Sequence, residues 1–336
     1  MYRIAVPVML TSPTYDREAI LRDLRRAGAT RVFLAIPPFV PDEEKQNSIF
    51  ECLSREISGF RENGVEVGVW FWTFWVDADM GFTRMTGVTG KESPTECCPL
   101  DGKFLDFALR NIARIASMHP DLIQFDDDFR FGMQNCGRGC VCRLHRKKIT
   151  ELVGKELPAG DVSEILLGGK PNAFRSAFIR ANGDSLRGFA KAVRETVDKV
   201  DPAIRVGQCA CIGTYDLDGT DSFEISRILA GKTAPFLRLI GAPYWAAEKQ
   251  WGNRLQDVIE LERIQRSWGG EGIEIFAEGD AYPRPRFHTP ASYVELFDAA
   301  LRVDGSLDGI LKYMADYTSS ASYETGYFDR HVADEN

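Results

Sequence analysis

Short apolar runs alternate with longer segments of helical periodicity along the whole chain. The longer segments carry apolar residues at three- and four-residue spacing, which is typical of amphipathic helices packed on one face. The apolar runs predict strands at Arg3–Met9, Arg31–Ile36, Val65–Trp72, Asp121–Phe125, Ile204–Gln208, Phe236–Ile240, Ile273–Ala277 and Gly309–Met314. The periodic segments predict helices at Asp16–Ala27, within Glu43–Asn63, and at Phe104–Met118, Ala173–Val197, Phe223–Ala230, Leu255–Ser267 and Ala291–Val303, with a short last one within Tyr323–Val332.

Eight strands separated by helices favour a parallel sheet, and a doubly wound sheet, the alternative to a closed barrel, would usually have fewer strands. A doubly wound sheet usually carries a glycine-rich phosphate loop after its first strand. The loop Leu10–Thr14 has no glycine. We therefore predict a single (β/α)₈ TIM barrel over residues 1–336. Its longest loops follow strands three and four, at about Thr73–Gly102 and Asp126–Pro171, and long loops in compact domains are often functional.

Amino-acid composition and charge argue against two classes of partner, nucleic acids and membranes. The formal net charge of -8 disfavours a nucleic-acid-binding protein, which would need a basic face. No uncharged apolar window approaches the roughly 18 residues of a membrane span, and the start of the chain lacks the features of a signal peptide. We expect a cytoplasmic protein with no membrane or nucleic-acid partner and no organic cofactor.

The fourth strand ends in three consecutive carboxylates, Asp126, Asp127 and Asp128, followed by Arg130. Active sites of TIM barrels lie at the C-terminal ends of the strands. Mutual repulsion among these carboxylates should raise at least one pKa, which is what a general acid requires. The alternative is a solvated acidic turn or a helix cap. Arg130 would either bind an acidic sugar or neutralise the acidic run.

The seventh strand places Glu278 at the same end of the barrel and Glu274 inside the strand. Two carboxyl groups that face each other across the barrel axis are the minimum machinery for glycoside hydrolysis. The alternative is a structural glutamate that pairs with Arg284 or Arg286. We therefore predict Glu278 as a catalytic partner of the acidic run.

Aromatic residues gather at the ends of several strands, as a carbohydrate site would require, because sugar rings stack on aromatic faces. Some of these rings must instead pack between the barrel and its helices. Strand alternation allows only one of Trp70 and Phe71 to point inward. The predicted substrate-binding residues are Asp126, Arg130, Trp72, Tyr244, Trp245, Tyr282 and Tyr313.

The cysteines give the most specific local pattern. Cys140, Cys142 and His145 lie within six residues, and one more cysteine would complete a tetrahedral set of soft or borderline ligands. Cys98 is the preferred fourth ligand, with Cys97 or Cys136 as alternatives. Four protein ligands leave no position for a reacting water, so this pattern predicts a structural zinc site. Free thiols or disulfides are the alternative.

Three segments together resemble glycoside hydrolase family 42, the clan-A β-galactosidases with a zinc–cysteine cluster. They are Cys98-Pro99-Leu100, Gln124-Phe125-Asp126-Asp127-Asp128-Phe129 and Gly139-Cys140-Val141-Cys142-Arg143-Leu144-His145. The family pattern reads Cys-Pro-Asn-Ser, then Gln-Ile-Asp-Asn-Glu-Tyr, then Cys-Tyr-Cys-x-x-Cys. The resemblance is clearest over residues 98–145.

This resemblance implies that Asp128 is the acid/base, that Asp127 replaces an asparagine that binds the sugar 2-hydroxyl, and that Glu278 is the nucleophile. It also implies that Cys98, Cys140, Cys142 and His145 hold the zinc, with histidine in place of the last cysteine. Aspartate at position 128 is one methylene shorter than the family glutamate. The expected function is a glycoside hydrolase that acts on a terminal β-galactoside or related sugar, and membership of the clan implies retention of configuration. The alternative is a non-catalytic carbohydrate-binding barrel.

Overall fold

The computed structural model describes residues 2–132, 134–211, 215–242, 254–280, 290–315 and 326–335. Eight parallel strands form a closed barrel, and helices surround it. Each strand pairs with the next barrel strand along the chain, and the last pairs with the first. The predicted TIM barrel is confirmed.

The element bounds follow the sequence pattern closely. The barrel strands are β1 (Arg3–Met9), β2 (Arg31–Ala35), β3 (Glu66–Phe71), β6 (Leu122–Phe125), β7 (Arg205–Cys209), β8 (Phe236–Arg238), β9 (Glu274–Gly279) and β10 (Gly309–Lys312); β4 (Arg84–Thr86) and β5 (Glu92–Cys97) lie outside the barrel. The helices are α1 (Arg17–Arg26), α2 (Glu43–Glu62), α3 (Gly102–Ala116), α4 (Arg143–Val153), α5 (Ser163–Leu166), α6 (Ala173–Val200), α7 (Tyr215–Asp218), α8 (Ser222–Ala230), α9 (Arg254–Gly269), α10 (Ala291–Asp304) and α11 (Tyr327–Glu335). Within the described ranges, no helix is long and apolar enough to cross a membrane.

Aspartate side chains fix the starts of several helices. Asp16 accepts a hydrogen bond from the Ala19 amide, Asp42 from Lys45, Asp101 from Phe104 and Asp221 from Glu224. Each carboxylate satisfies an amide that has no partner within its own helix, and its charge complements the helix dipole. The sequence thus encodes where these helices begin, and hence the lengths of the loops before them.

The two long loops contain structure that the apolar pattern did not predict. The loop after β3 forms the antiparallel hairpin β4–β5, and the loop after β6 contains α4 and α5. A second core forms beside the barrel, made of Val88, Val141, Ile149, Leu157, Val162, Leu166, Ala177, Phe178 and Ala181. The helices α4 and α5 escaped the sequence pattern because their stability comes from packing on α6 rather than from their own periodicity.

An ion cluster closes the N-terminal end of the barrel. The guanidinium of Arg31 is 1% exposed and lies 2.7 Å from Glu66 and 3.2 Å from Glu274. Arg205 lies 2.8 Å from the same Glu274 carboxylate. Glu274 therefore has a structural role, with partners other than Arg284 and Arg286, both of which lie outside the described residues.

We expect Glu274→Gln to lower the free energy of unfolding by about 2 kcal/mol at neutral pH, since Arg31 and Arg205 lose a charged acceptor. Burial alone raises the pKa of Glu274, but Arg31 and Arg205 outweigh it and hold the pKa below its usual range. The ionised Glu274 therefore contributes its full stabilisation of the folded state above about pH 4.3, the pKa of glutamate in the unfolded chain. This contribution is lost as the pH falls through the lower pKa of Glu274 in the folded protein. Urea unfolding of both proteins at a series of pH values would measure this.

The difference in unfolding free energy between wild type and variant should shrink at acidic pH. A difference that stays constant from neutral to acidic pH would show that Glu274 contributes through packing and not through its charge.

Candidate active site

Three charged side chains meet at the C-terminal mouth of the barrel. Side chains alternate along a strand, so Glu278, four residues after Glu274 of β9, faces the barrel interior. Asp126 is the first residue after β6, and its carboxylate is directed to the same side. Arg238 of β8 lies between them. Its Nη1 atom is 3.2 Å from Oε2 of Glu278, and its Nη2 atom is 3.8 Å from Oδ1 of Asp126. The Gly241 amide also donates to Glu278 Oε2, at 3.3 Å.

Arg238 is the residue that sequence reasoning missed. It is 3% exposed, and its Nε and Nη1 atoms make no hydrogen bond to the residues that the structure describes. Within the described residues, Nε has no partner and Nη1 is held to Glu278 by the ion pair alone. A buried guanidinium of this kind at the barrel mouth is suited to an incoming oxygen of a ligand. The available signal was a lone charge within the otherwise apolar run Phe236–Ile240.

Asp126 and Asp127 occupy different environments. Burial raises the pKa of Asp126 well above its usual range, and the charge of Asp127 raises it further, against the lowering effect of Arg238. Asp127 is more exposed and forms an ion pair with Arg130, at 2.9 Å. Arg130 also donates to the Gly132 carbonyl, at 2.8 Å. The structure thus places a carboxyl that favours its protonated form beside an ion-paired carboxylate.

The Asp128 carboxylate is bound by the loop after β3. Its Oδ1 accepts a hydrogen bond from the Thr73 amide at 2.7 Å, and its Oδ2 accepts one from the Phe74 amide at 2.6 Å. Burial raises the pKa of Asp128 to about 7, although both amides favour the charged form. With both oxygens held by backbone amides, Asp128 connects the acidic run to the segment that follows β3.

A second buried carboxyl lies behind Glu278. Glu262 of α9 is 1% exposed, and neither of its oxygens has a hydrogen-bond partner within the described part of the chain. Burial raises its pKa well above the usual range, and the charge of Glu278 adds to the effect. A Cβ atom at Gly241 would lie 3.0 Å from Glu262 Oε1, and Gly241 has a φ of +140°, so glycine is required there.

The aromatic residues at the mouth divide into two groups. Trp70, which faces inward, meets Tyr313 edge to face with ring centroids 6.1 Å apart, while Phe71 packs on Phe39 and Phe125 in the outer layer. Trp72 lies beside Trp75, with centroids 5.2 Å apart, and both rings are partly exposed. Three predicted binding residues, Tyr244, Trp245 and Tyr282, lie outside the described residues.

Cys98, Cys140, Cys142 and His145 form a buried group whose ligand atoms all lie within 4.8 Å of one another. The Cys98 sulfur lies 3.5 Å from that of Cys142 and 3.4 Å from Nδ1 of His145. These four side chains could therefore bind a metal ion. Of the two alternatives for the fourth ligand, Cys97 contacts Arg84 instead, and Cys136 lies outside the group.

The hydrogen bonds around His145 fit this use. Ser185 donates its hydroxyl proton to the Asn182 carbonyl, at 2.7 Å, so its oxygen accepts from Nε2 of His145, at 3.1 Å. That arrangement leaves Nδ1 of His145 without a proton and directed at the sulfurs. A metal-binding histidine commonly has such a hydrogen-bond partner on its other nitrogen. The group joins two parts of the chain. Cys98 lies between β5 and α3, whereas the other three residues lie at the end of the loop after β6 and in the first turn of α4.

No protein-family model matches this sequence, and no curated protein matches it. Solved structures do match. A β-galactosidase from the psychrophilic Marinomonas ef1 is 11% identical, with a TM-score of 0.70 over 99% of this chain and 58% of that one. A β-galactosidase from Bacillus circulans sp. alkalophilus is 12% identical, with a TM-score of 0.68 over 99% of this chain and 55% of that one.

The catalytic domain of a β-amylase from Paenibacillus polymyxa is 10% identical, with a TM-score of 0.58 and complete coverage of both chains. The chain thus spans a little over half the length of the β-galactosidases that it matches. At these sequence identities, the likeness shows a shared barrel fold.

Proposed function

We propose that this protein is a glycoside hydrolase that acts on a terminal β-galactoside or related sugar, as a divergent relative of glycoside hydrolase family 42. One observation carries the proposal: Asp126 and Glu278 lie at the two ends of one buried guanidinium, on the inner face of the barrel mouth. Two carboxyl groups in different environments are what acid-assisted glycoside cleavage requires. The likeness in fold to β-galactosidases and a β-amylase supports the same class.

In the proposed mechanism, Glu278 is the nucleophile. One Glu278 oxygen forms a bond to the anomeric carbon while the glycosidic bond breaks, and the leaving oxygen takes a proton from Asp126. Water then attacks the anomeric carbon, gives its proton to Asp126 and releases Glu278. Two displacements retain the anomeric configuration. The negative charge of Asp127 helps Asp126 to keep its proton before the first step, and Arg130 holds Asp127 in place.

The resemblance to family 42 assigns the proton donor to Asp128 instead. We prefer Asp126, because the two oxygens of Asp128 are held by the Thr73 and Phe74 amides and Asp126 lies next to Arg238. In this proposal, Asp128 orients the segment after β3, and the assignment of Asp128 as the acid remains a prediction that the next experiment tests.

A general acid can be identified from how kcat/KM of its variant depends on the leaving group of the substrate. Asp126→Asn should lower kcat/KM by about 10²-fold or more on an alkyl glycoside, and far less on a 2,4-dinitrophenyl glycoside, whose leaving group needs no proton. Asp128→Asn should instead affect both substrates similarly and lower the free energy of unfolding by about 1–3 kcal/mol, because its amide group would face a backbone N–H. The reverse pattern would return the acid role to Asp128.

The function itself is tested with nitrophenyl glycosides of both anomeric configurations and several sugars. We expect hydrolysis of one sugar, and proton NMR of the first product should show the starting configuration. If no glycoside is hydrolysed, the alternative of a carbohydrate-binding barrel without catalysis gains support. That alternative is motivated by aspartate at position 128, which is one methylene shorter than the glutamate of family 42.

For the metal, we propose zinc, held by Cys98, Cys140, Cys142 and His145. Zinc bonds of about 2.3 Å to sulfur and 2.0–2.1 Å to nitrogen place two tetrahedral sulfur ligands about 3.8 Å apart, and a sulfur and a nitrogen about 3.6 Å apart. The S···S separation of 3.5 Å and the S···N separations of 3.4 and 3.6 Å are close to these values. Four protein ligands make this a structural site, so zinc would fix α4 and the loop before it to the start of α3.

A further inference from the structure

Two tryptophans form a pair at the rim of the mouth, directly after β3. The rings of Trp72 and Trp75 lie 5.2 Å apart at 54°, and each ring is partly exposed. The indole N–H of Trp75 donates to the carboxylate of Asp77. Large aromatic side chains usually lie buried, so two neighbouring, partly exposed rings at the C-terminal end of a barrel strand indicate a binding surface.

The backbone around the pair is firmly anchored. Between the two tryptophans, Thr73 and Phe74 donate their amides to the buried Asp128. Phe74 is fully buried and packs against aromatic rings in the core, namely Phe104, Phe129 and Phe189. Because Asp128 belongs to the same acidic run as Asp126, the position of the tryptophan pair is tied to the position of the proposed catalytic acid.

Polar groups lie beside the pair. Trp75 is paired with Glu96 of β5 through an antiparallel bridge. The Asn135 amide donates to Glu96 Oε1 at 2.8 Å and to Thr95 Oγ1 at 3.1 Å. Glu96 is buried, and its two oxygens are already bonded to Asn135 and Ser93, whereas Asn135 is exposed. Aromatic faces next to an exposed amide suit a sugar ring, which has an apolar C–H face and hydroxyl groups at its edge.

We propose that Trp72 and Trp75 form a platform that binds the ring on the leaving-group side of the scissile bond, so that the natural substrate is a disaccharide or longer saccharide. This inference rests on the proposed function and extends it to the substrate class. The platform recognises the flat apolar face of a ring, which either a second sugar or an aromatic aglycone can supply. Its position next to the acidic run matches the leaving-group side, because the acid must contact the leaving oxygen.

Binding is tested separately from hydrolysis. The Glu278→Gln protein is applied to an array of immobilised monosaccharides, disaccharides and longer saccharides, and also titrated with a phenyl and a methyl glycoside of the preferred sugar. The same protein is prepared with Trp72→Ala, Trp75→Ala or Trp75→Phe added. Trp268→Ala is the matched control, because Trp268 is 50% exposed on α9, outside the barrel.

We expect binding of disaccharides or longer saccharides to weaken about tenfold or more in each alanine variant, and to be largely restored in Trp75→Phe, which keeps an aromatic face. Trp268→Ala should bind like the parent, and thermal unfolding should show that all variants fold. A preference for the phenyl glycoside without saccharide binding would identify an aromatic aglycone and overturn the saccharide assignment.

Equal saccharide binding with and without Trp72 and Trp75 would overturn the platform, as would the absence of binding to any saccharide on the array. Platform-dependent binding by a wild-type protein that hydrolyses no glycoside would support this inference while the proposed hydrolase function fails. The two proposals can therefore fail separately.

Discussion

Glu278→Gln is expected to lower kcat/KM on the hydrolysed glycoside by about 10³-fold or more, the largest loss among the proposed active-site substitutions. Glutamine keeps the shape of the side chain but cannot form the ester with the anomeric carbon. It also leaves Arg238 without the carboxylate that lies 3.2 Å away. Steady-state kinetics on the wild-type substrate would measure the loss.

The matched control is Glu274→Gln, the same substitution on the same strand at the opposite end of the barrel. It should lower stability while leaving kcat/KM almost unchanged at a temperature where the variant is folded. This comparison separates damage to the barrel from damage to the reaction.

Rescue distinguishes a nucleophile from a residue that only binds sugar. Glu278→Ala opens space beside Arg238, and added azide can attack the anomeric carbon in place of the carboxylate. The product should be a glycosyl azide of inverted configuration. Full activity of Glu278→Gln, or rescue that returns only the hydrolysis product of wild type, would contradict the nucleophile assignment.

Removal of the metal is expected to have the largest effect on stability. The purified protein should contain about one zinc ion per chain, and stripping it with a strong chelator should lower the free energy of unfolding by several kcal/mol. Without the ion, three buried thiols and an imidazole lose the partner that satisfies them. Atomic absorption and denaturant unfolding would measure content and stability.

Substitutions should reproduce the effect of the chelator. Cys98→Ser and His145→Ala should lose the ion and a similar amount of stability, whereas Cys52→Ser on α2, outside the cluster, should change neither. Four protein ligands leave no coordination position on the zinc ion for a reacting water. The kcat of the protein that remains folded should therefore change little. Metal-free protein as stable as the loaded protein would refute a structural zinc site.

Periodicity was sufficient to locate the strands of the barrel. β1 begins and ends at the predicted residues, Arg3 and Met9, and the other barrel strands deviate by at most two residues at either end. A buried parallel strand must be an apolar run, and the helix that covers it must be amphipathic. Both patterns can therefore be recognised within a short stretch of sequence. The hairpin β4–β5 was not predictable in this way, because its pairing depends on contacts with the loop that contains Cys136 and Arg138.

The candidate site was only partly predictable. The position of Glu278 at a strand end could be predicted from the sequence, and alternation along β9 agrees with its inward direction. The orientations of Asp126, Asp127 and Asp128 could not be predicted, because they lie beyond the last residue of β6, where the backbone turns and alternation no longer applies. Arg238 and Glu262 could not be assigned to the site from the sequence, because each is placed there by contacts with residues that are distant in the sequence.

The sequence by itself determined the elements that depend on local spacing. These are the alternation of strands and helices, the aspartates that begin the helices, and a cysteine–histidine pattern with three of its members within six residues. The tertiary structure decided which side chains meet: Arg238 between Asp126 and Glu278, Ser185 behind His145, and Asp128 on the backbone beside Trp72. The physical reason is that folding brings together residues that lie 40 or more positions apart in the chain, and no local pattern records that proximity.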